Sequence, residues 1–265
     1  MQKYYDKTHK RLVLLGEKSS PAFWDKHWSI DDFRIKIEEN KNNSFVLENT
    51  RRFLSEGKIL EGGCGMGKIL YCLHNNGYTA YGVDFAKKTV RKINKCFPEL
   101  NVFPGDVRYI QFKDNFFDGY WSLGVIEHFF EGYDSIVREM HRVLKRGGFL
   151  FVTYPFMSPL RKLKAKLKLY RNFKNTDKSD NFYQFVLDPL YVKNDLKKHG
   201  FKLIYFKPFG GLKGFKDEIW LIKPLFQRLY DYKGKNSYVK KLKRQLIRVL
   251  DKFSSHMMLM IFKKV

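Results

Sequence analysis

Between residues 58 and 68 the chain reads Lys-Ile-Leu-Glu-Gly-Gly-Cys-Gly-Met-Gly-Lys. No other stretch restricts the fold as strongly. Apolar Ile59 and Leu60 run into Glu61, and Gly63, Gly65 and Gly67 follow at every second position. A helical pattern then starts, with Ile69, Leu70 and Leu73 on one side. The order predicts a strand, a tight glycine turn and a helix N-terminus. Glycine permits positive φ there and lets a ligand approach without a Cβ in the way. The free N–H groups of the helix start favour a negative or polar group.

Spacing separates the ligands such a loop could serve. A dinucleotide fingerprint needs G-x-G-x-x-G, and counted from Gly63 its last glycine falls on Lys68. A phosphate-binding P-loop needs G-x-x-x-x-G-K-[ST]. Gly62, Gly67 and Lys68 fit it, but Ile69 stands where the magnesium-binding hydroxyl belongs. The pattern E-x-G-x-G-x-G is filled by Glu61, Gly63, Gly65 and Gly67. It resembles motif I of the class I S-adenosylmethionine-dependent methyltransferases. A glycine turn with no ligand is the alternative for this loop taken alone.

The residues that follow alternate between strand and helix patterns. A helix over 68–76 stops at Asn76-Gly77. A strand from Tyr78 to Val83 is closed by Asp84, 17 residues past Gly67. An acid at the end of the second strand suits a ribose diol, because a carboxylate accepts two hydrogen bonds from it. A helix over 86–97, a strand near 100–103, Gly105-Asp106-Val107 and a strand over 116–122 come next. Leu123-Gly124-Val125-Ile126-Glu127-His128 is similar to the family's motif IV. A helix over 134–145 and a buried parallel strand over 149–154 complete the pattern, and the resemblance, extended to residues 191–206 and 256–263, implies the family's last helix and sixth strand and its seventh, antiparallel strand.

The resemblance implies an α/β, Rossmann-like, seven-stranded and mostly parallel sheet with helices on both faces and basic helical insertions. It implies S-adenosyl-L-methionine as cofactor and no metal. Its binding residues are then Glu61, Gly63, Cys64, Gly65, Gly67, Asp84, Phe85, Asp106, Val107, Ser122 and Leu123, with Asp106 facing the adenine amino group. Cys64 reads as a small filler of the loop. Methyl transfer to oxygen or nitrogen requires removal of a proton, and a positioned imidazole or carboxylate can take it. His128 is the catalytic candidate and Glu127 the second, with a packing role as the alternative for His128. Tyr154, at the end of the fifth strand, is a weaker candidate.

The resemblance covers residues 55–155, and the remainder divides around them. Residues 1–56 read as an N-terminal helical segment, whose Trp24 and Trp28 either pack on the domain or form a lid. Residues 57–156 are the cofactor-binding core. Residues 157–265 continue the same domain with insertions at 157–187 and 208–252. Charge is divided unequally: residues 1–155 carry 24 Lys+Arg against 19 Asp+Glu, and residues 156–265 carry 27 against 8. A net charge of +24 implies an anionic partner or surface. Residues 160–174 and 238–253 read as basic amphipathic helices. Leu160, Leu163, Leu167 and Tyr170 share one face of the first; Val239, Leu242, Leu246, Val249 and Phe253 share one face of the second. Such helices either cover the core or meet an anionic membrane or nucleic acid.

Three cysteines without paired spacing suggest reduced thiols and a cytoplasmic location. No stretch approaches about 18 consecutive apolar residues. The leading expectation is a methyltransferase for a small or lipid- or saccharide-linked acceptor, with peripheral contact at an anionic membrane face. An RNA methyltransferase and a non-catalytic nucleotide-binding protein of the same fold are the alternatives.

Overall fold

A computed structural model describes residues 1–174, 179–232, 234 and 236–265. The parts of the 157–187 and 208–252 insertions at residues 175–178, 233 and 235 lie outside the described residues.

The chain opens with a β-hairpin, β1 (Gln2–Asp6) and β2 (Arg11–Leu15). The Asp6 carboxylate closes its turn by accepting the N–H groups of Thr8 and His9. This corrects the expectation of a wholly helical N-terminal segment. Buried Leu12, Val13 and Leu14 are packed strand residues. Helices α1 (Pro21–His27), α2 (Phe33–Glu38) and α3 (Ser44–Arg51) follow. Pro21 occupies the first turn of α1, and the Ser20 hydroxyl accepts the Phe23 N–H at 3.2 Å, so both the start and the cap are set by sequence.

The glycine junction becomes β3 (Lys58–Gly62) and α4 (Lys68–His74). After it come β4 (Thr79–Asp84), α5 (Lys87–Cys96), β5 (Asn101–Pro104), β6 (Phe117–Leu123), α6 (Asp134–Val143) and β7 (Leu144–Pro155). The remaining elements are α7 (Pro159–Lys166), β8 (Arg171–Asn172), β9 (Phe182–Val186), α8 (Pro189–Lys198), β10 (Phe201–Phe209), α9 (Gly211–Glu218), α10 (Lys223–Asp231), α11 (Ser237–Phe253) and β11 (Met257–Lys264).

Seven strands form one sheet in the order β10-β11-β7-β6-β3-β4-β5. Strands β5, β4, β3, β6 and β7 run parallel, and β11 is antiparallel between β7 and β10. The central strands are buried on both faces, as expected where helices cover a parallel sheet. Within β6, Tyr120 belongs to one core cluster and Trp121 to the other, where it stacks on Phe151 at 4.5 Å. Tyr154 lies in the first of these cores, its hydroxyl 3.2 Å from the Met260 sulfur, which removes it from the catalytic candidates.

A second sheet, in the order β8-β1-β2-β9, is tied to the C-terminal end of β7. Met157 N–H donates to Leu187 O, and Leu187 N–H donates to Pro155 O, each at 2.9 Å. The second sheet therefore overhangs the end of the main sheet where its parallel strands finish. It also accounts for a second correction. Residues 160–174 do not form one amphipathic helix: α7 ends at Lys166, Lys168 adopts φ 56°, and the chain then joins the small sheet as β8. Leu160 and Tyr170 are buried while Leu163 and Leu167 are exposed, so the supposed stripe is divided.

Candidate active site

A cavity of about 200 Å³ opens beyond the C-terminal ends of β3, β4 and β6. Ligands of open parallel sheets bind in this position. Gly63 and Gly65 form its floor. Asp84 and Phe85 come from the end of β4, Asp106 and Val107 from the turn after β5, and Leu123 from β6. Trp24 and Trp28, on α1 and its C-cap, form the roof. Asp25 fixes that helix to the start of α5 by accepting from Thr89 N–H at 2.8 Å and Thr89 Oγ1 at 2.9 Å.

Glycine is required in the floor. Gly63 and Gly65 adopt φ of 74° and 50°, in the left-handed region. A Cβ on Gly63 would lie 2.5 Å from Val125 Cγ2, and one on Gly65 would lie 3.0 Å from the Trp28 ring.

Asp84 is 5% exposed and holds the loop in shape. Its Oδ2 accepts Gly65 N–H and its Oδ1 accepts Ala86 N–H, both at 2.8 Å. A carboxylate offers about four lone-pair sites, so acceptor capacity remains on each oxygen toward the cavity. Burial raises the Asp84 pKa, and the backbone N–H groups of Ala86, Gly65 and Phe85 oppose that rise. Glu61 is buried behind the loop, and its Oε2 accepts Leu70 N–H at 2.9 Å in the first turn of α4. Burial raises its carboxyl well above the usual range. Glu61 and Cys64 line an adjoining hollow with Gly63, Gly65 and Leu123, on the other side of Trp28. Burial of Asp106 would raise its pKa, but the bidentate Arg108 partner outweighs this and holds it low. Gly67 caps α4 in left-handed geometry, and Ser122 is fully buried in β6. Neither lines the cavity.

His128 ends a short 3-10 turn over Ile126–His128 and stands between two cavities. The second is about 500 Å³ and lies between β6 and the overhanging sheet, with Leu12, Leu14, Tyr183 and Val186 in its walls. His128 Nδ1 is 2.7 Å from the Tyr183 carbonyl oxygen. A carbonyl only accepts, so Nδ1 carries the proton and Nε2 keeps its lone pair. Burial lowers the His128 pKa to about 4. Glu127 faces the second cavity; burial pushes its pKa up to about 8, and its Oε2 has no hydrogen-bond partner.

Residues 60–152 match the family profile described as a methyltransferase domain, and that span contains the glycine floor, Asp84, Asp106 and His128. Over those residues the chain is a methyltransferase domain similar to the class I S-adenosylmethionine-dependent methyltransferases. S-adenosylmethionine is therefore its cofactor. The enzyme is 27% identical over 158 residues to a phosphatidylethanolamine N-methyltransferase from Cereibacter sphaeroides, covering 57% of this chain and 75% of that one. It is 24% identical over 155 residues to a ubiquinone biosynthesis O-methyltransferase from Pelagibacter ubique, covering 54% and 64%. In fold it is similar to a methyltransferase from Archaeoglobus fulgidus, with a TM-score of 0.55 at 16% identity over 92% of this chain and 99% of that chain.

The methyltransferase has site features its motifs do not announce. The accepting carbonyl of Tyr183 comes from β9, 55 residues beyond His128. Apart from Gly124, Glu127 and His128, the second cavity is lined by residues outside the matched span, chiefly from the N-terminal hairpin, β9 and α9.

Proposed function

We propose that this methyltransferase transfers a methyl group to an oxygen or nitrogen of a small or lipid- or saccharide-linked acceptor that occupies the second cavity. The observation that carries the reading is the position of His128 in the wall between the two cavities, with its Nδ1 proton committed to Tyr183. Asp84 would hold the ribose hydroxyls on its remaining lone pairs. Val107 and Phe85 would flank the base, and Gly63 and Gly65 would let the cofactor backbone approach. Glu61, Cys64 and the hollow beside them would receive the methionine end. When bound, S-adenosylmethionine supplies a methyl already activated on a sulfonium, so alignment is the main demand on the protein.

His128 Nε2 would take the acceptor's proton. Its low pKa keeps the ring neutral, with Nε2 free, across the physiological range, at the expense of intrinsic basicity. Glu127, protonated at neutral pH, would line the acceptor's cavity as a neutral carboxyl group. Trp24, whose ring is 5.2 Å from that of His128, would exclude water from this contact. The test is turnover of His128→Ala with labelled methyl donor in a lysate that contains the acceptor, set against cofactor affinity.

The lipid-linked form of the reading rests on α10, α11 and the turn before them. Trp220 and Tyr238 are 82% and 83% exposed, and Leu242 is 60% exposed. Only Leu250 of the 17 residues in α11 is buried. Lys240, Lys241, Lys243, Arg244, Arg248 and Lys252 flank this apolar stripe, and the helix's one acid, Asp251, is turned inward to accept Gly211 N–H at 2.6 Å. An anionic lipid surface complements both features. Trp220 and Leu221 lie between Glu218 and Lys223, which line the second cavity, so the exposed segment borders that cavity. No helix among the described residues is long and apolar enough to cross a membrane. The two relatives named above act, by name, on phosphatidylethanolamine and in ubiquinone biosynthesis, which is compatible with this reading.

A further inference from the structure

The second cavity has two chemically different ends. One carries Gly124, Glu127 and His128. The other carries Lys3, Arg161, Lys213, Lys223 and His256 around two acids, Asp217 and Glu218.

Both acids are already engaged. Glu218 Oε1 accepts from Lys3 Nζ at 2.8 Å and Arg161 Nε at 3.0 Å. Its Oε2 accepts from Lys164 Nζ at 2.9 Å and the Tyr170 hydroxyl at 2.7 Å. Asp217 accepts from Lys213 Nζ at 2.8 Å and Lys216 Nζ at 2.7 Å. Lys223 forms no ion pair among the described residues. Two carboxylates therefore serve five cations and leave Lys223 as a sixth without a partner among the described residues, and Arg161 is almost completely buried. Arg161 is paired with Glu218, whereas Lys3 and Lys213 are half-buried and Lys223 is exposed, so the uncompensated charge lies on the open side of the cluster.

His256 sharpens the deficit. Its Nδ1 is 3.1 Å from Arg161 Nη2, and its Nε2 is 3.2 Å from Lys213 Nζ. A neutral imidazole has one accepting nitrogen, so one of these contacts sets an N–H against a cation. Protonation would leave it no accepting nitrogen at all. Burial and then the neighbouring Lys213 and Arg161 hold its pKa down to about 3, so the ring is neutral. The cluster is short of acceptor atoms on the side that faces the cavity.

We propose that this end of the cavity is a subsite for a phosphoryl group carried by the methyl acceptor, held by Lys3, Lys213 and Lys223 with Arg161 and His256 behind them. This rests on the reading of the second cavity as the acceptor's. A phosphoryl group matches the surplus better than a carboxylate does, because it brings three accepting oxygens and up to two charges, and lysine ammonium groups bind it as point charges. The acceptor then spans the cavity, phosphoryl end at the cluster and methyl-accepting atom at His128. The same group could belong to a lipid headgroup or to a soluble phosphate ester.

The test is calorimetric titration of the full chain at constant ionic strength with inorganic phosphate, glycerol phosphate and monomeric dihexanoyl phosphatidic acid. Wild type should bind phosphate saturably. Lys213→Gln and the exposed Lys223→Gln should each weaken it at least tenfold, while Lys197→Gln on α8 leaves it unchanged. S-adenosylhomocysteine affinity should be the same in all four proteins, which shows that each is folded. Tighter binding of dihexanoyl phosphatidic acid than of glycerol phosphate assigns the group to a lipid; equal binding assigns it to a soluble ester. Absence of saturable phosphate binding, or equal binding in all variants, overturns the subsite. Turnover of His128→Ala is read separately. If it collapses while phosphate fails to bind, the subsite alone is wrong; if it stays normal, the acceptor reading beneath it is wrong too.

Discussion

The carbonyl oxygen of Tyr183 lies 2.7 Å from Nδ1 of His128. That one contact fixes the tautomer of the ring and leaves Nε2 as the accepting nitrogen. It also couples β9 of the overhanging sheet to the end of β6, so the second cavity is positioned by the same bond that orients the proposed base.

His128→Ala should lower turnover by about 10²–10⁴. S-adenosylhomocysteine affinity, measured by calorimetry, should hardly change. Near-normal turnover would return His128 to a packing role beneath Trp24.

The two titrating groups at the wall give pH dependences of opposite sign. His128 has a folded pKa of about 4 against an ordinary 6.5. The unfolded chain takes up that proton first, so this group's contribution to stability declines as pH falls from about 6.5 to about 4. The acid limb of the rate profile should likewise fall near 4 and not near 6.5. Glu127 has a folded pKa of about 8 against an ordinary 4.5. Here the folded chain holds the extra proton, so stability declines as pH rises from about 4.5 to about 8, then levels off. Glu127→Gln should abolish that decline. Its Tm advantage over wild type should be larger at pH 9 than at pH 5, and a pH-independent difference would refute the assignment.

Gly65→Ala forces a side chain into φ 50° and against the Trp28 ring. The left-handed conformation costs about 1–2 kcal/mol, and the roof must shift as well. Cofactor affinity should fall by about tenfold, read by the same calorimetry, with retained helical content in circular dichroism. An unchanged affinity would mean that the glycine floor does not face the cofactor.

For the lipid surface, Leu242→Asp with Val249→Asp places charge on a stripe that is already exposed, so Tm should stay within a few degrees. Wild type should sediment with anionic vesicles and not with neutral ones, and the double variant with neither. Each Lys or Arg near such a surface contributes about 1 kcal/mol within a Debye length. A double variant that retains vesicle binding would show that the stripe does not insert. Tight, salt-dependent RNA binding by a wild type that ignores vesicles would favour the RNA methyltransferase.

The parallel core was legible because its signals are local. The glycine spacing, the acid at 84 and the Asn76-Gly77 stop each lie within a few residues of the element they define. The second cavity was not legible in that way. Leu12–Leu14 is too short a run to announce a strand, and its partner Val186 lies some 170 positions away in the chain. The pairing of His128 with Tyr183 has no motif, and neither does the meeting of Lys3, Arg161, Lys213 and His256. Residues 160–174 misled because apolar residues at helical spacing continue past Lys166, where tertiary pairing of β8 with β1 overrides the local pattern. In 238–253 the same spacing is a helix, and there the chain offers almost nothing to cover it.

The most direct measurement is calorimetric titration of wild type and Asp84→Ala with S-adenosylhomocysteine. Asp84 is the one buried carboxylate that both shapes the glycine floor and faces the cavity. Wild type should bind in the micromolar range, about −8 kcal/mol. Asp84→Ala should lose about 2–3 kcal/mol of that affinity, the scale of charge-assisted hydrogen bonds to a buried partner. A wild type that binds NADH or ATP but not S-adenosylhomocysteine, or a folded Asp84→Ala variant with undiminished affinity, would contradict the assignment of this cavity to the cofactor.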